Sequence, residues 1–402
     1  MDAGSNLNIS INGVQSLRNS ADQGWLIVAA NAHLTEGTDP KISFNDQNWL
    51  YDFSEGQKLQ QGMTDSSQTV LGTEDNIYIG YGFSQDIHPD QDAVKLSNAT
   101  SHFAVSAIRS ISNSVTNYYR PKHANTFWVL SQYIHDNRDT DDLGVGFDAQ
   151  LRAITIGNDF IFDNGYWGFG IGYGDGNIHS NGGIAYTNGD IQSLWGIGYF
   201  KYKGESFNVF ADVSYLYQDA DQEQNNVVGP LYTNTTNDAV LVNLGISKDF
   251  VLSKDDLSQW ILSPSLGVEY IYLNQRDFDI NLDNGTTILH GDDNNMSMFS
   301  IPVEATLQYD FADDDLKHNF HLTLGASKNF GDKSMSGSYT DLNGRNADKW
   351  ELIPVDDYQG KVGLGYTLYS SKKDISIDLG VNYVFSNSRE LTDIVGTVTY
   401  NW

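Results

Sequence analysis

The chain has 402 residues, with 52 Asp or Glu against 23 Lys or Arg and a net charge of −29. So acidic a protein is a poor partner for nucleic acid or an anionic membrane surface. The absence of cysteine removes disulfides and thiolate metal sites, and no apolar run is long enough for a transmembrane helix.

Residues 1–88 hold strand-like pieces, "NLNISI", "WLIVAA", "TVLG" and "NIYIGYGF", at irregular spacing. They read as a separate β-rich segment. Met1 is followed by "DAGSNLNISING", which has neither the basic nor the apolar region of an export signal. The chain therefore reads as a piece trimmed at its N-terminus.

The character changes at "HPDQDAVKLSNATSHFAVSAIRSISNSVTNYYRPKH". Pro89 with Asp90 and Asp92 marks a helix start. Ala93, Leu96, Phe103, Ala107, Ile108, Ile111 and Val115 follow a helical spacing, and Pro121 ends it. A helix of about 28 residues within this stretch would run roughly 42 Å, enough to thread a pore of bilayer depth. Its serine-rich surface is wrong for lipid and suits a wet lumen.

From residue 126 onward the pattern is alternation. "WILSPSLGVEYIY" sets Trp260, Leu262, Leu266, Val268, Tyr270 and Tyr272 against Ser263, Ser265, Gly267 and Glu269. "GYWGFGIGYGDG" sets Trp167, Phe169, Ile171 and Tyr173 against four glycines, and "DISIDLGVNYVF" behaves alike. The spacing predicts strands at 126–134, 143–156, 166–176, 189–202, 206–218, 238–251, 259–274, 298–311, 318–331, 357–370, 373–386 and 390–402. An even number of amphipathic strands of this length indicates a transmembrane β-barrel, here all-β and antiparallel. A soluble sandwich also alternates. Aromatic residues at strand ends count against it: Trp260, Phe311 and Phe320 at one level, Tyr272, Tyr358 and Phe385 at the other, as expected of two interfacial girdles. The polar faces are small, with scattered charges at Asp148, Arg152, Asp212, Glu269, Glu304, Lys361 and Asp378, read as lining a wet lumen. Short connections ("DNG", "KGES", "ADDDLK", "SSKK") alternate with long ones at 219–238, 275–297 and 332–355, as periplasmic turns alternate with extracellular loops.

The chain closes on "LTDIVGTVTYNW". Ile394, Val398, Tyr400 and Trp402 share one face, with Asp393, Thr397, Thr399 and Asn401 on the other. A terminus that ends inside an amphipathic strand on a large aromatic is unlike the frayed end of a soluble domain.

A polar helix, then "FWVLSQY", then twelve alternating strands ending in an aromatic resembles the translocator domain of an autotransporter. The stretches "DLGVGFDAQLRAITIGND", "GYWGFGIGYGDG" and "DIQSLWGIGYFKYKGESFNVFADVSYLY" are similar to the family's first strands in order and glycine placement. The resemblance covers about residues 90–402. It implies that 1–88 is the end of a passenger or an autochaperone-like segment, 89–121 a lumenal helix and 122–402 the barrel. It implies passage and anchoring of the chain's own passenger, monomeric, in the outer membrane with lipid and lipopolysaccharide around it. It further implies that barrel-assembly machinery and periplasmic chaperones handle the chain, with Val398, Tyr400 and Trp402 as the assembly signal. On the helix, Phe103, Ile108, Arg109, Ile111, Asn113 and Asn117 would lie within the lumen, its charges near Arg109 and Arg120 meeting those of the wall.

No enzyme, cofactor or metal is expected. Some members cleave themselves at an asparagine pair inside the helix, but here Asn98, Asn113 and Asn117 are single. His135 and His321 stand as lone histidines without a poised catalytic set. The acidic runs at 136–142, 219–224 and 291–295 lack the ligand spacing of a dedicated calcium loop. Two rival readings stay open: a non-secretory porin, and an adhesin acting through acidic loops.

Overall fold

A computed structural model describes residues 99–117 and 125–402, except 140–145, 182–186, 227–228, 314, 342–345, 352–354 and 371 and the side chains at a few strand ends; before residue 99 it describes only the backbone of five short strands. Those five are β1 (Asn6–Ile9), β2 (Gln23–Ala29), β3 (Lys41–Phe44), β4 (Lys58–Gln61) and β5 (Ile77–Gly82). They pair only among themselves, β1 with β3 in parallel and β2, β5 and β4 in one antiparallel sheet. The strand-like "TVLG" and the helix start at Pro89 lie outside the described residues.

The helix runs Ala99–Asn117, about 28 Å by its rise. The expected stop at Pro121 lies outside the described residues.

The wall is a closed antiparallel barrel of twelve strands. Its first members are β6 (Thr126–Arg138), β7 (Gly146–Phe162), β8 (Gly165–Asn181), β9 (Thr187–Lys203), β10 (Asn208–Asn226) and β11 (Gly229–Ser247). β12 (Phe250–Lys254) prolongs β11 along the edge of β13 (Ser258–Gln275). After the hairpin β14 (Phe278–Leu282) and β15 (Thr287–Gly291) come β16 (Asn294–Asp313) and β17 (Leu316–Gly331). A second hairpin, β18 (Ser336–Asp341) and β19 (Asn346–Glu351), precedes β20 (Tyr358–Ser370), β21 (Ile375–Phe385) and β22 (Arg389–Asn401). β22 closes on β6 with a continuous register from Thr126↔Asn401 to Arg138↔Arg389.

Several strands run past the lengths that alternation alone suggests. A membrane needs about 9–11 residues per strand, yet β10 and β11 have 19 each. The expected loop at 219–238 is therefore strand, paired from Asp219↔Thr236 to Asn226↔Gly229. The other two long connections each carry a hairpin, and these extend the wall through the β11–β14 and β15–β18 pairings. All the long connections leave one end of the barrel, and the tight turns leave the other.

Outside, the alternation exposes a band of large apolar residues including Ile154, Ile171, Leu194, Val213, Leu244, Val303, Leu324, Leu364 and Leu379. Water does not tolerate so continuous a patch; lipid does. Aromatic rings border it. Trp260 stacks on Tyr309 at 4.6 Å, Phe311 on Phe320 at 6.2 Å, and Phe320 packs on Tyr366 at 4.6 Å. Toward the long-loop end, Tyr358 carries Lys328 Nζ 5.2 Å above its ring, and Phe385 sits 5.8 Å from Tyr383. Tyr272 is exposed on the outer face of β13.

The helix-filled lumen as candidate functional site

The helix lies inside the barrel against β6, β7, β10, β11, β13 and β22. Every apolar residue from Phe103 to Val115 is buried, Phe103, Ile108 and Ile111 completely. They pack with inward residues of the wall, among them Ala149, Leu151, Leu216, Ala220, Ala239 and Leu241, and with Phe278, Ile280, Met335 and Tyr339 of the hairpins. Small and branched side chains in the wall let the helix approach closely, and apolar residues of the hairpins join the same buried cluster.

Its direction follows from its polar contacts. Thr100 Oγ1 meets Thr235 Oγ1 at 3.0 Å and Ser101 Oγ donates to Asn237 Oδ1 at 2.7 Å, both partners high on β11 toward the long-loop end. Val115 packs with Trp128, Leu130, Ile197 and Tyr199 near the tight-turn end. Between them Arg109 Nε donates to Glu269 Oε1 at 2.6 Å and Arg109 Nη2 to Asn329 Oδ1 at 3.0 Å. Ser112 Oγ donates to Asp212 Oδ2 at 2.6 Å, and Asn243 Nδ2 donates to Asp212 Oδ1 at 3.0 Å. The serines that make the helix too polar for lipid are the groups that satisfy these buried acceptors.

The charged wall positions divide. Asp212 and Glu269 touch the helix. Lys361 Nζ donates to Glu304 Oε1 at 2.8 Å, and Thr367 Oγ1 donates to Asp378 Oδ1 at 2.6 Å, on the inner face away from it. Asp148 and Arg152 do not line the lumen. They share the outer face of β7 with Ile154 and Ile156, while Phe147, Ala149, Leu151 and Ala153 point inward and are buried. Asp148 Oδ2 pairs with His135 Nε2 at 2.9 Å on the same outer face. The reason is height: this part of β7 stands beyond the apolar band, where the outside is wet and the inside is filled by the helix, so the polarity of the two faces reverses. Of the remaining helix positions, Asn113 is half-buried and Asn117 ends the helix; Asn98 and Arg120 lie outside the described residues.

Sequence reasoning missed the aromatic niche at the tight-turn end. Trp128 is fully buried and its Nε1 donates to Tyr199 Oη at 3.0 Å, while Tyr199 Oη donates to Asp159. A Cβ on Gly157 or Gly170 would overlap the Trp128 ring, and one on Gly168 would overlap Tyr199. The glycine face of "GYWGFGIGYGDG" is thus the floor on which inward aromatic rings lie flat. The run of alternate glycines was the signal.

At the C-terminus, Val398, Tyr400 and Trp402 are 53%, 54% and 61% exposed on the outer face. Trp402 N donates to Asn125 O at 2.9 Å, beside the start of the first strand.

The profile described as Autotransporter beta-domain matches residues 127–382. Among solved structures, the chain is similar to the translocator domain of the autotransporter NalP from Neisseria meningitidis, with a TM-score of 0.57 and 15% identity over 76% of this chain and 98% of that one. It is similar to the transport unit of AIDA-I from Escherichia coli, with a TM-score of 0.51 and 13% identity over 75% and 99%. The β-domain of the Bordetella autotransporter BrkA gives a TM-score of 0.50 and 14% identity over 70% and 100%. No curated protein matches the sequence. The match over most of the barrel, on a closed twelve-stranded wall of the same fold, establishes that this chain belongs to the autotransporter β-domain family and resides in the outer membrane.

Proposed function

We infer that the barrel carries the chain's own N-terminal passenger across the outer membrane and then anchors it, with the helix as the last segment left in the pore. One observation carries the reading. The helix enters at the long-loop end, where Thr100 and Ser101 are held by β11, and its C-terminal end lies beside Trp128, at the tight-turn end where β6 begins. A chain threaded this way has everything upstream of the helix on the long-loop side, which is extracellular in such barrels. The parallel pairing of β1 with β3 is in keeping with residues 1–88 as the end of a passenger, 89–121 as linker helix and 122–402 as the barrel. The reading is of a conduit and not an enzyme, and neither Asn113 nor Asn117 has a neighbouring asparagine for self-cleavage.

The test is an epitope inserted ahead of residue 83 in cells. Surface labelling and protease shaving of intact cells are expected to reach it; an epitope retained in the periplasm beneath a correctly folded barrel would overturn the reading. The porin alternative has less support, because the helix and hairpins fill the long-loop half of the lumen.

Handling by the barrel-assembly machinery and chaperones belongs to the same proposal, with Val398, Tyr400 and Trp402 as the recognised face and lipopolysaccharide around the outer rim. Trp402 lies at the tight-turn interface, where a carboxylate costs the finished barrel only about 0–1 kcal/mol. Trp402→Asp is therefore expected to deplete the protein from outer membranes while refolding normally in detergent. Equal loss in both assays would make Trp402 a packing residue only.

A further inference from the structure

The closing ladder of the barrel is unlike the others, because it joins the first strand to the last. β6 and β22 are separated by the whole wall, so their pairing carries the largest loop-closure entropy in the barrel. On its inner side this seam is polar and buried: Gln132, Asp136 and Arg138 on β6, Asp393 on β22. Arg138 stands directly opposite Arg389 in the register, an arrangement that repels unless carboxylates bracket it. Asp136 accepts from Arg389 Nε at 2.6 Å.

Helix serines complete this network from above. Gln132 Nε2 donates to Asp393 Oδ1 at 2.8 Å across the seam and to Ser114 Oγ at 2.9 Å, with Ser110 Oγ 3.2 Å from the same nitrogen. Ser114 Oγ donates to Asp393 Oδ2 at 3.0 Å. Further up, Arg389 Nη2 donates to Ser106 Oγ. Three serines at 106, 110 and 114, each one helical turn apart, thus form a row along one helix face that contacts both strands of a single ladder. Ser101 and Ser112, on other faces, reach β11 and β10 instead.

We propose that the lumenal helix has a second function as a clasp for barrel closure: its Ser106–Ser110–Ser114 row holds β22 against β6 and stabilises the closed seam selectively. The helix directly precedes β6 in the chain, so it stands beside the first strand when the last arrives. Without the helix, Asp393, Gln132 and Arg389 lose these serine partners and face water, where the cross-seam hydrogen bonds compete with solvent and contribute less. Closure is thereby favoured more with the helix in place. This goes beyond secretion, which needs the helix merely to have entered the pore.

Hydrogen exchange of the full chain refolded in detergent tests it. In Ser106→Ala/Ser110→Ala/Ser114→Ala, amides of 126–138 and 389–401 are expected to exchange about tenfold faster, the factor equivalent to about 1.4 kcal/mol, with 208–226 and 229–247 unchanged. Ser101→Ala/Ser112→Ala is expected to reverse the pattern. Uniform acceleration around the wall, or an unaltered seam in the triple variant, would overturn the clasp. Should the triple variant not fold, the single variant Ser114→Ala gives the same readout: seam amides accelerated more than those of β10 and β11 support the proposal, and equal effects sink it.

Discussion

Two walls of the lumen differ although their sequences alternate in the same way. β7, β10 and β11 present Ala149, Leu151, Leu216, Ala239 and Leu241 to the helix and are dry. β16, β17, β20 and β21 present Glu304, Thr306, Gln308, His321, Thr323, Lys361 and Asn382, all half-buried, with Arg109 reaching across to Asn329. The helix is thus seated on one side of the barrel. What a strand turns inward depends on whether helix or water meets it.

The largest way to break this comparison is to remove the helix. A chain lacking residues 99–117, reconstituted in planar bilayers, is expected to conduct several-fold more than the full chain. Equal conductance would mean that the helix does not occlude the lumen.

Ion pairs on the two walls give the next contrast. Arg109→Met leaves the half-buried Glu269, 13% exposed, without its partner, at a cost of about 1–3 kcal/mol. Lys361→Met removes the partner of Glu304 on the wetter wall, where water can take over, at about 1 kcal/mol or less. Melting of the folded form in detergent measures both. Similar losses would show that the far wall is as dry as the near one.

The glycine floor offers a finer probe. Gly157→Ala pushes a methyl into the Trp128 ring and a strand carbonyl, so overpacking of about 1–3 kcal/mol is expected. Gly196→Ala, with nothing within 4 Å, is expected to be neutral by the same melting assay. A neutral Gly157→Ala would mean that Trp128 can move aside.

The smallest effect lies outside the membrane. His290 Nδ1 and Asp279 Oδ1 are 2.8 Å apart across the β14–β15 hairpin, and this hydrogen bond raises the histidine above its ordinary pKa. A raised folded pKa stabilises most below the ordinary value and is lost as pH climbs through the raised one. Hairpin amides are therefore expected to exchange faster above that pH once intrinsic base catalysis is corrected for, and His290→Asn should abolish the step. Since both side chains are solvent-exposed, the effect is small.

Much of the architecture was legible because lipid imposes a two-residue period on any strand that crosses it. All twelve wall strands and the outward set of Trp260, Phe320, Tyr358 and Phe385 followed from that period alone. Arg152 and Asp148 were misread as lumenal because period-two alternation says which residues share a face, but not which face is wet. Above the bilayer the solvent is outside, and the packed helix is inside. The same limit hid the apolar lumenal cluster, which looks in sequence like any other alternate set of small side chains.

The sequence by itself determined the barrel and its strand number, since these depend on local alternation and turn chemistry, while the family reading rested on the resemblance in strand order and glycine placement. Only the tertiary structure decided which strands the helix lies on, that Gly157, Gly168 and Gly170 floor a niche for Trp128 and Tyr199, and that Ser106, Ser110 and Ser114 meet β6 and β22 together. Those contacts pack side chains of separate strands against one another or set side chains within one helix against a curved wall. They depend on barrel closure and helix placement, which no local pattern encodes.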